Sequence, residues 1–129
     1  MISIEDRMAI LELAARYNYA VDTGAGEAFA DTFTAEGVFD GPAGHAAGHA
    51  ALVAFCAQLA EQFPGGMHFT DNHLFDVDGD VVRHKCFVSF QVPGENGTEP
   101  WLLSYEDEVV KEDGEWKFQL RKVGPLQAL

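Results

Sequence analysis

The sequence predicts an α+β fold, and three observations carry that expectation. Apolar residues recur at helical spacing through the first half of the chain. From Met67 onward the pattern changes to long alternating segments joined by Gly-, Asp- and Asn-rich turns. Helices therefore come first and a meander of strands follows, the order of a segregated two-layer fold. The 129 residues are enough for one domain with a real core, expected over 1–129. No repeat, linker or second domain is evident.

Ile4 to Thr23 is the clearest helix. Ser3 can cap it, and Glu5 and Asp6 lie in the first turn, where the helix dipole favours negative charge. Ile4, Met8, Leu11, Ala15 and Asn18 form one stripe. Ile10, Leu13, Ala14, Tyr17 and Val21 form an adjacent one. Glu5, Glu12 and Arg16 take the solvated arc, with Ala9 and Ala20. Gly24 and Gly26 stop the helix. Gly26 to Thr34 reads as a short second helix with Phe29 and Phe33 as its apolar pair. Glu36 to Asp40 reads as a short strand, and Gly41 to Gly48 as a loop. Ala50 to Phe63 is a third helix, ended by Pro64-Gly65-Gly66.

Met67–Asp76, Val81–Val92, Trp101–Lys111 and Glu115–Val123 read as strands. Their connections are Asp78-Gly79-Asp80, Pro93 to Gly97, and Glu112-Asp113-Gly114, which predict antiparallel hairpins. In the second strand Val82, His84, Cys86, Val88, Phe90 and Val92 share a face. In the last, Trp116, Phe118 and Leu120 do.

Composition excludes several functions. With 21 acids against 8 bases the formal charge is −13, which repels phosphate backbones and makes nucleic acid a poor partner. No apolar run approaches the roughly 20 residues of a membrane span. The N-terminus lacks the basic start and apolar stretch of a signal peptide, so a cytoplasmic location is expected. Cys56 and Cys86 fall in apolar surroundings, as buried free thiols do in a reducing compartment. No zinc-type Cys/His spacing occurs. His45 and His49 are four residues apart, but glycines break the helix a metal pair would need and no Glu follows His45. Asp76, Asp78 and Asp80 flank Gly79 as a hairpin turn, without the distal Glu of a calcium loop.

Asp22 is the anomaly. It lies eighteen residues after Ile4, about five helical turns, and so projects with Ile4 and Leu11 on an apolar side. A carboxylate is costly there and is also disfavoured at a helix C-terminus. A pocket with His68 as partner would account for it. His68 opens the first long strand, where strict alternation puts His68, Thr70, Asn72 and Leu74 on one face. Phe69, Asp71, His73 and Phe75 fall on the other. An Asp22–His68 hydrogen bond would hold the imidazole in one tautomer. The other reading is a surface histidine, with Asp22 capping the Gly24–Gly26 turn. Tyr17 lies about 140° round the helix from Asp22 and reads as core packing. Asn72 would sit roughly 13 Å along a regular strand from His68. His84, on an apolar face, reads as a satisfied core histidine.

The arrangement resembles the SnoaL-like branch of the nuclear transport factor 2-like superfamily, over nearly the whole chain. The residues that carry it are Ile10-x-x-Leu13-x-x-x-Tyr17-x-x-x-Val21-Asp22 and Phe33-Thr34-Ala35-Glu36-Gly37-Val38-Phe39. Gly48-His49-x-x-Leu52, His68-x-x-x-Asn72, Tyr105-x-Asp107 and Asp113-Gly114-Glu115-Trp116-Lys117-Phe118 follow. The resemblance implies a cone-shaped barrel of three N-terminal helices on a strongly curved antiparallel sheet. It also implies an apolar pocket at the open end and a homodimer through the outer sheet face. Asp22 and His68 match the catalytic pair of the scytalone dehydratase and hexachlorocyclohexane dehydrochlorinase branch. There the histidine removes a carbon-bound proton and the aspartate orients it. Val21 and Phe39 stand where scytalone dehydratase has tyrosines, which argues against a scytalone-like substrate.

The expected function is a cofactor-independent lyase or isomerase acting on a small apolar ring or carbonyl compound. Asp22 and His68 are the expected catalytic residues, and no metal or cofactor is expected. Phe29, Phe33, Phe39, Phe55 and Trp101 are the expected substrate contacts, with Tyr17, Asn72 and His84 beside them. One alternative is a non-catalytic ligand-binding or assembly module of the same fold. Another is an isomerase or cyclase in which Asp22 acts alone as base.

Overall fold

The computed structural model of the chain describes residues 2–126. Helix α1 spans Ile4–Asp22. Ser3 Oγ accepts from the Asp6 N–H at 3.0 Å and Asp6 Oδ2 accepts from the Ser3 N–H at 3.3 Å, a reciprocal capping box. The other Asp6 oxygen accepts from Trp116 Nε1 at 2.9 Å, tying the start of α1 to the last strand. At the far end Gly24 takes a left-handed φ of 69°, which turns the chain out of the helix.

Helix α2 is Gly26–Asp31, strand β1 is Phe33–Gly41 and β2 is Gly44–Ala47. Helix α3 is His49–Gln62. Four long strands follow: β3 (Met67–Asp78), β4 (Val81–Gly94), β5 (Gly97–Glu112) and β6 (Glu115–Pro125). The fold is α+β, with the helices packed on a curved six-stranded sheet that does not close. Its order is β2-β1-β6-β5-β4-β3, so β2 and β3 are the edges. The pairs are antiparallel except β1–β6, which is parallel. Among the described residues no helix is long and apolar enough to cross a membrane.

Several local expectations are corrected. The second helix stops at Asp31, not Thr34, because Thr32 O accepts from the Phe118 N–H at 2.9 Å and β6 captures the chain as a strand. The loop expected over Gly41–Gly48 contains β2, which pairs back on β1. On α1 the buried residues are Ile10, Leu13, Ala14, Tyr17, Ala20 and Val21. Ala20 is therefore in the core, under α3, where the Cys56 thiol donates to its carbonyl. Ile4 is 76% and Met8 57% exposed, whereas the C-terminal end of the same stripe meets β3. There Asn18 Nδ2 donates to Thr70 Oγ1 at 3.3 Å.

In β3 and in β6 a β-bulge breaks the expected alternation. Asp71 pairs with Phe87 and Leu74 with Lys85, so Asn72 and His73 share one position opposite β4. Asn72 adopts φ 58° there and is exposed. Beyond it His73 and Phe75, not Asn72 and Leu74, turn inward. In β6, Phe118 pairs with Val109 and Leu120 with Glu108, leaving Gln119 extra. Arg121 therefore takes the inner position expected for Leu120 and is fully buried.

The core between sheet and helices is aromatic. Tyr17 meets Phe29 at 5.0 Å between ring centroids and Phe118 at 6.0 Å, and Phe33 meets Phe118 at 5.6 Å. Phe39 and Phe55 meet at 4.6 Å beneath β1. Pairs at such spacings add roughly 0.5–1.5 kcal/mol each beyond area burial.

Candidate active site

The end of α1 and the start of β3 converge at Asp22 and His68. Asp22 Oδ1 lies 2.6 Å from His68 Nδ1, and Asp22 Oδ2 accepts from the His68 backbone N–H at 2.9 Å. Both side chains are largely buried, at 14% and 13% exposure. Two donors at short range answer the unfavourable position of this carboxylate at a helix C-terminus. An ionised carboxylate only accepts, so in the neutral ring this contact puts the proton on Nδ1 and leaves the lone pair on Nε2.

The sequence around His68 builds its seat. The Phe90 ring stacks on the imidazole at 4.2 Å with an interplanar angle of 20°. Gly66 makes room for that ring, since a Cβ there would lie 2.6 Å from Phe90. Tyr17 presents its ring edge-on to His68 at 6.4 Å. With Asp22 behind and two rings beside it, the imidazole has little freedom to turn.

His68 faces a cavity of about 180 Å³. Tyr17, Phe39, Leu59 and Phe63 line one side, and Val88, Phe90, Trp101, Leu103, Tyr105 and Val123 line the other. Asp22 is not part of the lining. Of the expected substrate contacts, Tyr17, Phe39 and Trp101 reach the cavity. Phe29, Phe33 and Phe55 pack in the core and do not line it. Asn72 is turned away by the bulge, and His84 is buried against Asp107. The lining residues that sequence reasoning missed are Pro42, Ala43, Leu59, Phe63, Val88, Phe90, Leu103, Tyr105 and Val123. The alternation Trp101–Leu103–Tyr105 on β5 was the available signal for two of them.

A buried charge cluster underlies the cavity. Asp107 Oδ1 accepts from Arg121 Nε at 3.0 Å, and Oδ2 accepts from Arg121 Nη2 at 3.3 Å and meets His84 Nδ1 at 2.8 Å. The guanidinium packs on the rings of Tyr105 at 3.5 Å and of Tyr17 and Phe118 at 4.3 Å each. Burial works most strongly against the Arg121 charge, but Asp107, with Tyr105, Cys86 and Tyr17, together outweighs it and the net shift is upward. Burial pushes the Tyr17 hydroxyl well above its ordinary range and Tyr105 up to about 12, with Arg121 opposing in both. Both phenols therefore stay protonated.

Two larger and more open depressions hold neither Asp22 nor His68. One lies along β3–β6 and one between α1 and the β5–β6 turn. Glu27, Asp31 and His49 form an exposed cluster in which His49 Nε2 meets Glu27 Oε2 at 2.7 Å, an ordinary surface contact.

Helices on a curved, open α+β sheet, with an Asp–His pair against an apolar cavity, define the class. The chain belongs to the SnoaL-like domain family, whose profile matches residues 3–122. Comparison with curated proteins gives no significant match. Among solved structures, the chain is similar to a proposed aromatic ring hydroxylase from Novosphingobium aromaticivorans. That match has a TM-score of 0.86 and 27% identity, and covers 99% of this chain and 94% of the other. A proposed scytalone dehydratase from the same organism matches with a TM-score of 0.82 at 24% identity, over 96% of this chain and 86% of the other. LinA matches with a TM-score of 0.83 at 21% identity, over 98% and 92%. The last two likenesses show the shared fold.

Proposed function

We propose that the protein is a cofactor-independent lyase or isomerase, with His68 as general base and Asp22 as the carboxylate that orients it. The observation that carries this reading is the 2.6 Å Asp22–His68 contact behind a ring that lines the cavity. His68 Nε2 would remove a carbon-bound proton, and Asp22 would stabilise the imidazolium that forms. General-base catalysis of this kind supplies about 10²–10⁴-fold, and positioning in a dry cavity supplies the rest. The protonated Tyr17 and Tyr105 hydroxyls are the groups suited to donate to a substrate oxygen.

The cavity limits the substrate. At about 180 Å³ it is close to the ~150 Å³ apolar void that accommodates a benzene ring. A single small ring fits, which argues for a monocyclic ketone or halogenated ring. The reading in which Asp22 acts alone needs a carboxylate free of histidine, and the 2.6 Å contact argues against it. The exposed Met67, Phe69, Phe87 and Leu102 on the outer sheet face support a homodimer formed there.

The test is a panel of small cyclic ketones and halogenated rings incubated in D₂O, with deuterium uptake and elimination followed by mass spectrometry. A compound turned over by the wild type and not by a folded His68→Ala variant supports the assignment. Turnover that survives His68→Ala sinks it.

A further inference from the structure

Three side chains with metal-binding donor atoms meet where β3 crosses β4, and none of them lines the cavity. His73 Nδ1, His84 Nε2 and Cys86 Sγ all lie within 4.8 Å of one another. The two ring nitrogens are 2.9 Å apart. Around a tetrahedral zinc ion such atoms sit roughly 3.3–3.6 Å apart, given its usual bond lengths. To admit the ion, the His73–His84 contact must open by about half an ångström and the two nearly parallel rings must tilt toward a common point; His73, half-buried on an edge strand, is the one placed to do so.

The surroundings fit the same purpose. Asp107 Oδ2 holds His84 Nδ1 at 2.8 Å, which fixes the tautomer with the Nε2 lone pair facing His73 and Cys86. A carboxylate behind a ligating imidazole is the usual support of a metal-binding histidine. The bulge supplies the third element. Regular alternation would turn His73 outward, away from Cys86. The extra residue at Asn72, with its φ of 58°, sets His73 on the inner face opposite Cys86. Bulges serve to re-aim a side chain in this way, and a left-handed non-glycine residue is a cost the fold carries for it.

We infer that His73, His84 and Cys86 form a site for a divalent transition-metal ion of the zinc type. Two nitrogens and a sulfur favour such an ion over magnesium or calcium. Both histidines bind as neutral rings: His73, whose Nδ1–H donates to His84 Nε2 when no ion is bound, carries its proton on its other ring nitrogen instead, and the thiol gives up its proton to solvent as the sulfur binds. A water takes the fourth position. The ion would clamp edge strand β3 to β4 five residues beyond His68, at a site separate from the proposed catalytic cavity.

The test uses tag-free, metal-stripped full chain titrated with Co²⁺. The expected result is one ion per chain, with near-ultraviolet thiolate-to-cobalt absorption and visible bands of tetrahedral intensity, both displaced by Zn²⁺. Cys86→Ala should abolish the near-ultraviolet band. His73→Ala should weaken cobalt binding by about tenfold or more, the scale set even by outer partners of a metal site. His49→Ala should change neither. Far-ultraviolet circular dichroism checks the fold, and His73→Ala carries the test if Cys86→Ala does not fold. A wild type without the thiolate band overturns the site. So does a band that survives Cys86→Ala, or an affinity unchanged in His73→Ala.

Discussion

Asp107 and Arg121 form the buried ion pair on which the cavity rests, and a double-mutant cycle tests what holds it. Both side chains are fully buried, and Asp107 makes three hydrogen bonds, two to Arg121 and one to His84. Asp107→Asn keeps the shape, removes the charge and turns an amide N–H toward one of those donors. It leaves the guanidinium uncompensated beneath Tyr17 and Tyr105, a loss of about 3–5 kcal/mol. Arg121→Met leaves Asp107 with His84 alone and strips three rings of their cation, for a loss in the same range. Either is a large part of the roughly 5–15 kcal/mol that keeps such a domain folded. The pair of substitutions removes both charges together, so it should cost at least about 2 kcal/mol less than the sum of the singles. Urea denaturation followed by circular dichroism measures all four proteins. Single losses below about 1 kcal/mol, or losses that add within about 0.5 kcal/mol, would refute the reasoning.

Three further outcomes are expected. Hydrogen bonding from Trp116, and then from Ser3, holds the Asp6 carboxyl below its ordinary 3.8. A depressed carboxyl stabilises the fold above that value and loses its effect as pH falls through the folded-state value. Thermal melts should therefore show wild type above Asp6→Asn near neutrality, with the gap closing below pH 3.8; a constant gap would contradict this. Burial raises the Cys56 thiol and pushes Cys86 up to about 12, so neither should react with a thiol reagent near neutral pH until denaturant is added. A rapidly modified thiol in the folded chain would count against that packing. Phe69→Lys with Leu102→Lys should halve the mass seen by light scattering, and a wild-type monomer would exclude the proposed dimer face.

Much of the fold is readable from local chemistry. The capping box at Ser3 and Asp6, the helical spacing of Leu52, Phe55 and Cys56, and the Asp-Gly turns locate α1, α3 and the four long strands. The features missed depend on distant partners. Strand β2 lies in a glycine-rich stretch whose strand character comes from pairing with β1. The parallel β1–β6 pair joins segments about eighty residues apart. The bulges at Asn72 and Gln119 turn on one extra residue, and periodicity has no means of registering that. Each bulge flips the rest of its strand, which is why His73 and Arg121 lie inward against expectation. At the site, Asp22 was legible because a carboxylate is costly where it sits. His68 followed from the family pattern His68-x-x-x-Asn72 more than from alternation, and Phe63, on the cavity wall, from neither.

The most direct test of the proposed chemistry needs no substrate. A long-range ¹H–¹⁵N spectrum of the histidine rings, recorded at mildly alkaline pH, reports which nitrogen of His68 carries the proton. The geometry predicts Nδ1–H, with a downfield proton resonance that moves upfield in Asp22→Asn, and an unprotonated Nε2. An Nε2–H tautomer in the wild type would leave His68 without the lone pair a base requires, and would contradict the proposed mechanism at its first step.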